Sequence, residues 1–261
     1  GGQNTNGFHL FIDQRNQFGS DTERIYHDTM IHGAINLAKN IPEKVLIIGG
    51  GDGLLVRELL KYPEVKSITL IELDPKMIDL ANTYKPLTDI NGHSLKDPRV
   101  HVEVADGFSW LRKNRQIFDS IIIDLPHPVS VDLSRLYSIE FYKFVRARLS
   151  DTGYMVFDFP FDGLLKTAQG KPGNLKTIAS ILSAVTSAGF GSYRGFGTWE
   201  SFLIATPEKK TLDFDYPTLD PRIANISAFN MTELTLPELQ QTAPNSIFKP
   251  VVLKTRLDGG G

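Results

Sequence analysis

The sequence predicts an α/β fold in which a mostly parallel, doubly wound sheet is covered by helices on both faces. Three observations lead to this prediction. Short apolar runs alternate with segments of helical periodicity between residues 43 and 206, as in folds built from β–α–β units. Several runs, such as Val45–Ile48, are apolar on both faces, which is typical of buried parallel strands. A glycine-rich turn joins the first run to the first helix, as in many ligand-binding doubly wound folds.

The predicted sheet is built from six apolar runs, with five helices between them. The strands are Lys44–Ile48, Ser67–Leu73, Val100–Val104, Ser120–Asp124, Tyr154–Phe159 and Ser201–Ala205. The helices are Leu54–Tyr62, Pro75–Tyr84, Phe108–Asn114, Ser134–Leu149 and Asn174–Ala188. Asp74 supports the start of the second helix, because Asp is a good N-cap and proline suits the first helical position.

Three segments follow from these elements. Residues 1–42 are a short N-terminal segment, for which the pattern predicts an extended stretch at Phe8–Asp13 and then a helix. Residues 43–206 form the α/β domain. Residues 207–261 are rich in proline and contain one short predicted helix, Thr235–Gln241. We expect this tail to wrap the domain, because it holds too few periodic segments to build a core of its own.

The composition excludes several classes of function. The chain has 261 residues, a formal net charge of −2 and no cysteine. The charge provides no basic field for nucleic acid, and the lack of cysteine excludes a disulfide scaffold or a thiolate nucleophile. The apolar runs are far shorter than the ~20 residues of a membrane span. We expect no metal site, because His27 and His32, the closest histidines in sequence, do not share a helix face.

The strongest local signal is the run KVLIIGGGDG at Lys44–Gly53. Its glycines, Gly49, Gly50, Gly51 and Gly53, let the backbone turn sharply and let a ligand approach the main chain. The spacing differs from the dinucleotide pattern G-x-G-x-x-G. A ligand site and a purely structural tight turn both remain open from this run alone.

Four acidic residues come at or just after the ends of successive predicted strands: Asp52, Glu72, Asp106 and Asp124. Open α/β sheets bind ligands at that edge. Glu72 is placed to accept hydrogen bonds from a ribose diol, although each acid alone could be a helix cap. The chain lacks a triphosphate-binding loop. The pattern therefore favours a nucleoside, and a positively charged adenosyl sulfonium fits the acids best.

Together these residues resemble the spermidine synthase (polyamine aminopropyltransferase) family. The resemblance covers roughly residues 10–206. The motifs that carry it are GGGDG at Gly49–Gly53, IELD at Ile71–Asp74, DPRV at Asp97–Val100, ADGF at Ala105–Phe108 and FDSIIID at Phe118–Asp124. The resemblance implies a Rossmann-like, seven-stranded sheet of the adenosylmethionine-dependent methyltransferase type.

The resemblance also implies a reaction. The family transfers the aminopropyl group of decarboxylated S-adenosylmethionine, a co-substrate, to putrescine or a related polyamine, with no tightly bound cofactor. Asp124 would be the general base. The implied donor site is Gly49, Gly51, Asp52, Gly53, Glu72, Asp106 and Gly107. The implied acceptor site is Gln17, Tyr26, His27 and His127. A homodimer is implied as well.

The stretch Ser134–Ser138 (SRLYS) is similar to a bacterial subgroup of this family that carries an N-terminal membrane region. We therefore expect a cytoplasmic location. If the full-length protein has that region, outside the present chain, we expect it to tether this domain to the inner membrane.

One departure from the family pattern concerns the catalytic loop. The family has D-x-x-D-P, whereas this chain has Asp124-Leu-Pro-His-Pro, with His127 in place of the second acid. A histidine cannot bind a cation when it is protonated. His127 could be a neutral acceptor, mark a different amine substrate, or indicate weak activity. Asp158, Asp162 or Glu200 could supply the missing acid.

Two other functions stay open at this point. The same nucleoside site would serve a methyltransferase that uses intact S-adenosylmethionine on a small amine, although Asp52 and Asp124 would repel its carboxylate. A catalytically weak polyamine- or nucleoside-binding domain is the other alternative, because His127 removes a diamine anchor.

Overall fold

A mixed sheet of eight strands forms the centre of the fold in the computed structural model. The residues that it describes are 9–12, 15–19, 23–125, 134–159, 173–198, 200–223, 225–229 and 242–248. The strands in chain order, with β1 and β2 outside this sheet, are β1 His9–Ile12, β2 Arg15–Gly19, β3 Lys44–Gly49, β4 Ser67–Glu72, β5 Val100–Val104, β6 Phe118–Asp124, β7 Leu149–Asp158, β8 Ser192–Gly197, β9 Ser201–Thr206 and β10 Ser227–Phe229.

The strand order in the sheet is β10-β8-β9-β7-β6-β3-β4-β5. Strands β7, β6, β3, β4 and β5 are parallel to one another, and β9, β8 and β10 continue the sheet with antiparallel pairings. The order reverses at β3, because β4 and β6 lie on its two sides. This topological switch point opens a crevice at the carboxyl ends of β3 and β6, where open α/β sheets bind ligands.

The prediction of an α/β, mostly parallel sheet is confirmed, but the sheet has eight strands rather than seven. The extra strand is β10, whose three residues pair with β8. A strand this short carries no period-2 pattern that could be recognised in the sequence. Strand β8 was also absent from the six predicted runs, because Gly195, Gly197 and Arg194 interrupt its apolar character.

Helices cover both faces of this sheet. The described helices are α1 Glu23–Ala38, α2 Leu54–Leu59, α3 Pro75–Thr83, α4 Lys85–Asn91, α5 Gly107–Lys113, α6 Ile139–Arg146 and α7 Gly173–Ser187. Along β3, Val45 and Ile47 join the core beneath α1 and α2. Leu46 and Ile48 join the core that contains residues of α5, α6 and α7. The alternation explains why the strand sequence is apolar throughout.

Two helices differ from their predicted bounds. The predicted helix Ser134–Leu149 is shortened to α6, because the hydroxyl of Ser138 accepts a hydrogen bond from the N–H of Phe141 and caps the helix there. Helix α4 is absent from the predicted helices, and its Pro86 lies in the first turn, where proline is tolerated. The predicted tail helix Thr235–Gln241 lies outside the described residues.

The N-terminal segment contains an antiparallel hairpin and a long helix. Strands β1 and β2 pair with each other, and α1 then runs for 16 residues beneath the sheet. Most of α1 is buried, including polar side chains such as His27 and His32. Since a polar group buried without a partner is costly, these side chains indicate a cluster of interacting polar groups under the sheet.

The tail contacts the domain at Asn245, which is fully buried. Its side-chain amide donates hydrogen bonds to the carbonyl oxygens of Ser134 (3.0 Å) and Tyr137 (3.1 Å). Its backbone carbonyl accepts a hydrogen bond from the N–H of Ile139, and its backbone N–H donates to Ser180 in α7. A single tail residue thus fixes the short turn that precedes α6. Within the described residues, no helix is long and apolar enough to cross a membrane.

Gly49 should be the least replaceable glycine of the sheet edge. Its φ is +86°, and a Cβ there would lie 1.9 Å from the carbonyl oxygen of Asp124. Gly92 is a matched control, because its φ is +63° and a Cβ there would meet nothing within 4 Å. We expect Gly92→Ala to cost ~1 kcal/mol of unfolding free energy for its backbone conformation. We expect Gly49→Ala to cost ~3 kcal/mol or more, because backbone must also move.

Urea unfolding of the two variants measures this difference. Equal losses in Gly49→Ala and Gly92→Ala would contradict the close approach of β3 to β6.

Candidate active site

The glycine-rich turn lies at the switch point of the sheet. Gly49, Gly50 and Gly53 have φ values of +86°, +65° and +80°, in the left-handed region that favours glycine. Gly51 is required for a different reason, because a Cβ there would lie 2.6 Å from a carboxylate oxygen of Glu72. The turn therefore brings bare backbone against two strand-end acids, Glu72 and Asp124.

Two side chains that the sequence did not single out, Asn91 and Ser94, donate hydrogen bonds to backbone carbonyl oxygens of this turn. The amide of Asn91, which is buried, donates to the carbonyl oxygen of Asp52 (2.9 Å). The hydroxyl of Ser94 donates to the carbonyl oxygen of Gly53 (2.6 Å). Neither residue belongs to a motif, and each acts through a contact about 40 residues away in sequence. Such long-range contacts leave no local signal that a sequence pattern could detect.

Glu72 lies at the carboxyl end of β4 and bends toward the turn. Its carboxylate accepts hydrogen bonds from the backbone N–H of Gly51 (3.1 Å) and of Asp74 (2.9 Å). Burial raises the pKa of Glu72, while these backbone hydrogen bonds oppose the rise. A carboxylate has about four lone-pair sites, so Glu72 keeps acceptor capacity for hydroxyl groups of a ligand beside the turn.

Asp106 lies just after β5 and begins α5. One carboxylate oxygen accepts the N–H of Ser109 (2.9 Å) and caps the helix. The other is paired with the guanidinium of Arg135 at 2.6 Å. Gly107 follows, and a Cβ there would lie 2.5 Å from the side chain of Ile48. The close packing of α5 on β3 thus requires a residue without a side chain after Asp106.

Asp124 ends β6 and is hydrogen-bonded to Tyr26 of α1. The tyrosine hydroxyl donates to Oδ1 of Asp124 at 2.9 Å. Burial raises the pKa of Asp124 and the charge of Glu72 adds to this, although His27 and the Tyr26 hydroxyl act in the opposite direction. The Tyr26 pKa is raised too, first by burial and then by the negative charges of Asp124 and Asp158.

Tyr26 contacts two of three residues that lie side by side on neighbouring strands: Asp124 of β6, Asp158 of β7 and Phe202 of β9. Ile123 pairs with Phe157, so Asp124 and Asp158 follow at the same level on adjacent strands. Asp158 in turn pairs with Phe202 of β9. The Tyr26 ring packs on Phe202, with centroids 5.0 Å apart. Asp158 therefore lies in the row between the two residues that Tyr26 contacts.

His27 follows Tyr26 on α1 and is oriented by a second polar layer. Its Nδ1 is 2.6 Å from the carbonyl oxygen of Glu23 and 3.1 Å from a carboxylate oxygen of Glu23. Arg57 of α2 binds both carboxylate oxygens of Glu23, at 2.9 and 3.0 Å. Such a bidentate pair is geometrically specific. Glu23 and Arg57 therefore fix the orientation of the His27 ring, next to Tyr26 in the chain.

The charges near His27 act on one another. Burial lowers the pKa of His27, but its hydrogen bond to Glu23 and the negative charges of Asp52 and Asp124 outweigh burial, so the pKa is raised. Burial raises the pKa of Asp52, and Asp124 adds to this while His27 opposes it. Asp52 also accepts the N–H of Leu54 (2.9 Å). Two partly buried acids, Asp52 and Asp124, thus act on a ring that can carry a positive charge.

A second buried polar cluster lies farther along α1. Asp28, His32 and Glu58 place one possible metal ligand each within 4.8 Å of one another. The carboxylate of Glu58 is already bonded to Lys61 and Arg57. Burial, together with the negative charge of Glu58, raises the pKa of Asp28 to about 6. Cations of the protein already neutralise Glu58, so this cluster is an ion-pair network among the described residues. Oδ1 of Asp28 is buried within it and has no hydrogen-bond partner among those residues.

Two residues of the predicted acceptor site are described only in part or not at all. Gln17 lies in β2, within the hairpin, and its side chain is outside the described part of the chain. His127 lies outside the described residues, as does Asp162. Glu200 is exposed, between β8 and β9. The structure therefore places the residues predicted for the donor site at the same sheet edge as Asp124, Tyr26 and His27. Of the three acids suggested in place of the missing one, Asp158 follows a residue that pairs with Ile123 and so lies beside Asp124.

The order of the sheet and the acids along its carboxyl edge define an α/β domain of the methyltransferase-like class. A crystal structure of a spermidine synthase in complex with the transition-state analogue AdoDATO superimposes with a TM-score of 0.69 at 25% identity, over 89% of this chain and 80% of that chain. A spermidine synthase from Thermotoga maritima has the same fold, with a TM-score of 0.65 at 24% identity, over 89% of this chain and 80% of that chain.

Sequence comparison gives the family. Residues 23–158 match the family described as "Spermine/spermidine synthase domain". The chain is 35% identical to polyamine aminopropyltransferase 1 of Streptomyces coelicolor, over 94% of this chain and 46% of that protein. It is 34% identical to the polyamine aminopropyltransferase of Leptospira interrogans, over 97% of this chain and 48% of that protein.

The chain belongs to the spermine/spermidine synthase family. It spans about half the length of these curated relatives. The family predicted from the sequence is thereby confirmed.

The hydrogen bond between Tyr26 and Asp124 yields a prediction about proton affinity. Tyr26→Phe removes a donor that lowers the pKa of Asp124, so this pKa should rise further. A carboxyl whose pKa is raised by folding stabilises the folded state at low pH, and that contribution is lost as pH rises through the folded pKa. In the variant this loss should extend to higher pH.

Carbon-13 NMR titration of the aspartate carboxyl groups measures the shift. Tyr142→Phe is the matched control, because Tyr142 is also buried and its hydroxyl hydrogen-bonds none of the described residues. An unchanged Asp124 titration in Tyr26→Phe would contradict the assigned contact.

Proposed function

We propose that this domain transfers an aminopropyl group from decarboxylated S-adenosylmethionine to putrescine or a related polyamine, with Asp124 as general base. The observation that carries the proposal is the partly buried Asp124 carboxylate, hydrogen-bonded to Tyr26 at the switch point beside the glycine-rich turn. Membership of the spermine/spermidine synthase family supports the same reaction, as do relatives named polyamine aminopropyltransferases.

In this proposal the donor lies along the carboxyl edge of β3, β4 and β5. The turn at Gly49, Gly51 and Gly53 admits the adenosyl group against bare backbone. Glu72 accepts hydrogen bonds from the ribose hydroxyls, and Asp106 with Gly107 faces the base. Asp52 lies toward the aminopropyl amine. The sulfonium charge of the donor suits an edge where burial raises the pKa of carboxyl groups, because a nearby cation stabilises their ionised forms.

The acceptor amine must lose a proton before it can react. An alkylammonium has a pKa of about 10.4 and no lone pair at neutral pH. Asp124 first stabilises the ammonium and then takes its proton. A base whose pKa is raised by burial is better matched to that transfer than an exposed aspartate. The Tyr26 hydroxyl fixes the orientation of the carboxylate during the step.

The transfer itself is a displacement at carbon. The lone pair of the neutral amine forms the new C–N bond to the carbon next to the sulfonium, and the C–S bond breaks. Its electron pair returns to sulfur and gives neutral methylthioadenosine. The rate then depends mainly on alignment of nitrogen, carbon and sulfur, which the rigid strand ends on either side of the crevice would provide.

The far end of the acceptor needs an acid that the sequence pattern lacks at His127. We propose that Asp158 takes this role. It lies one strand from Asp124 and at the same level, and neighbouring strands are ~4.8 Å apart. Its charge acts on Tyr26. A diamine lying under Tyr26 could then place one nitrogen at Asp124 and the other near Asp158.

The same acids disfavour intact S-adenosylmethionine. Its carboxylate would face Asp52 and Asp124, and like charges within ~4–6 Å repel. We therefore rank the methyltransferase below the aminopropyltransferase, and a weakly active binding domain below both. The homodimer, the cytoplasmic location and a membrane tether outside this chain stay predictions.

Product analysis tests the reaction. The domain is incubated with putrescine and either decarboxylated or intact S-adenosylmethionine, and the nucleoside products are followed by mass spectrometry. We expect methylthioadenosine only from the decarboxylated donor. Asp124→Asn should reduce its formation by ~10²–10⁴-fold, the usual contribution of a general base, and leave methylthioadenosine binding in calorimetry unchanged.

Other outcomes reject the proposal in different ways. Adenosylhomocysteine as the sole product would indicate a methyltransferase. Nucleoside binding without any product would indicate a binding domain. Full turnover in Asp124→Asn would remove Asp124 from the mechanism.

Substitution of Asp158 tests the amine anchor. Asp158→Asn should raise the KM for putrescine by ~10-fold or more, because a charge-assisted contact is lost, with the donor KM unchanged. His127→Asp in that background should restore part of the loss, because it returns the family's second acid. Asp151→Asn, an exposed acid on the same strand, is the control and should change nothing. An unchanged KM in Asp158→Asn would rule out the anchor.

A further inference from the structure

An ion pair between Arg135 and Asp106 lies at the sheet edge proposed for the donor. The proposed mechanism gives Arg135 no role. The guanidinium of Arg135 is 2.6 Å from Oδ2 of Asp106. Among the four strand-end acids, Asp106 is the one that forms an ion pair with a lysine or arginine within the described residues. The pair is partly exposed, with side-chain exposures of 36% for Arg135 and 26% for Asp106, so a ligand can reach it.

Arg135 also lies over an aromatic ring. Its guanidinium carbon is 5.5 Å from the centroid of Phe108, a distance at which cation–π attraction operates. Phe108 is held by Phe141, nearly parallel at 6.1 Å, and by Phe144, edge-on at 5.5 Å. The guanidinium thus rests between a fixed aromatic platform and a fixed carboxylate, because Asp106 is also bonded to the N–H of Ser109.

Arg135 lies shortly after Asp124 in the chain, at the point where the described chain resumes. The described chain leaves the crevice at Leu125, directly after Asp124, and returns at Ser134 and Arg135. Asn245 binds the carbonyl oxygen of Ser134 and holds this return point. Among the described residues, Leu125 therefore follows Asp124 directly, and Arg135 is bonded to Asp106.

We propose that Arg135 is a positioning and specificity-determining residue for the base of the nucleoside donor. It holds Asp106 in one orientation, so that the remaining lone pairs of that carboxylate accept hydrogen bonds from an exocyclic amino group. The inference rests on the proposed function, because it needs an adenine-containing ligand at this edge.

The chemistry of the carboxylate gives this arrangement its selectivity. An ionised aspartate only accepts hydrogen bonds and has about four lone-pair sites. Ser109 and Arg135 each take one of them. A base with an amino group can donate to those that remain, whereas a base with an oxo group at the same position leaves them unpaired. Without Arg135, Asp106 would be held through Oδ1 and Ser109 alone, so Oδ2 could turn toward solvent and the distinction would weaken.

Calorimetry with two nucleosides tests the proposal on the whole chain. The probes are methylthioadenosine and its inosine analogue, in which an oxo group replaces the amino group. We expect the wild-type protein to prefer methylthioadenosine. Arg135→Ala should weaken methylthioadenosine binding by ~10-fold and bring the ratio of the two affinities toward one, and Arg135→Lys should restore part of the ratio. In turnover, Arg135→Ala should raise the donor KM and leave the putrescine KM unchanged.

Controls separate this role from a structural one. Arg146→Ala removes a similarly exposed arginine paired with Asp151 and should change neither affinity. If Arg135→Ala lowers the melting temperature, Arg135→Gln provides a second variant of similar size. Equal weakening of both nucleosides, or no weakening, would overturn the assignment of Arg135 while leaving the proposed reaction intact. Absence of methylthioadenosine binding by the wild-type protein would overturn the proposed function as well.

Discussion

The burial of the two central parallel strands on both faces is the constraint on which the rest of the structure depends. Val45–Ile48 of β3 and Ile121–Ile123 of β6 are buried. Because strands buried on both faces carry apolar side chains there, charged groups lie toward the strand ends. The close approach of Gly49 to the backbone of Asp124 then brings two of those ends together. The crevice, the bare backbone and the acids all follow from one packing requirement.

Partly buried acids at that edge need compensation, since burying an unpaired charge is costly. Asp106 has a direct ion pair with Arg135, whereas Asp52 and Asp124 are compensated through hydrogen bonds and a layer of surrounding polar groups. Tyr26 donates to Asp124, and His27 faces Asp52 and Asp124 while Glu23 and Arg57 hold the ring. This arrangement leaves the carboxylates of Asp52 and Asp124 oriented but without a lysine or arginine partner among the described residues, which suits the cationic donor of the proposed reaction.

The sequence allowed the sheet and the edge acids to be predicted because both have local signals. Apolar runs identify buried strands, and glycines with strand-end acids mark the carboxyl edge. The supporting residues could not be predicted in the same way. Asn91, Ser94, Arg57 and Arg135 act through contacts with residues about 30 to 40 positions away, and no periodicity encodes those contacts. As the proposed anchor for the second amine, Asp158 is favoured over Glu200 only by the strand register, which puts it beside Asp124.

The anchorage of Ser134 and Tyr137 by Asn245 has a consequence for biosynthesis. These contacts join residues more than 100 positions apart, and chains are made from the N-terminus onward. The parallel strands and the glycine-rich turn can fold while the ribosome is still translating the tail. The turn that presents Arg135 receives the hydrogen bonds of Asn245 only after residue 245 has emerged, so a nascent chain forms the crevice at β3 and β6 before that turn is fixed.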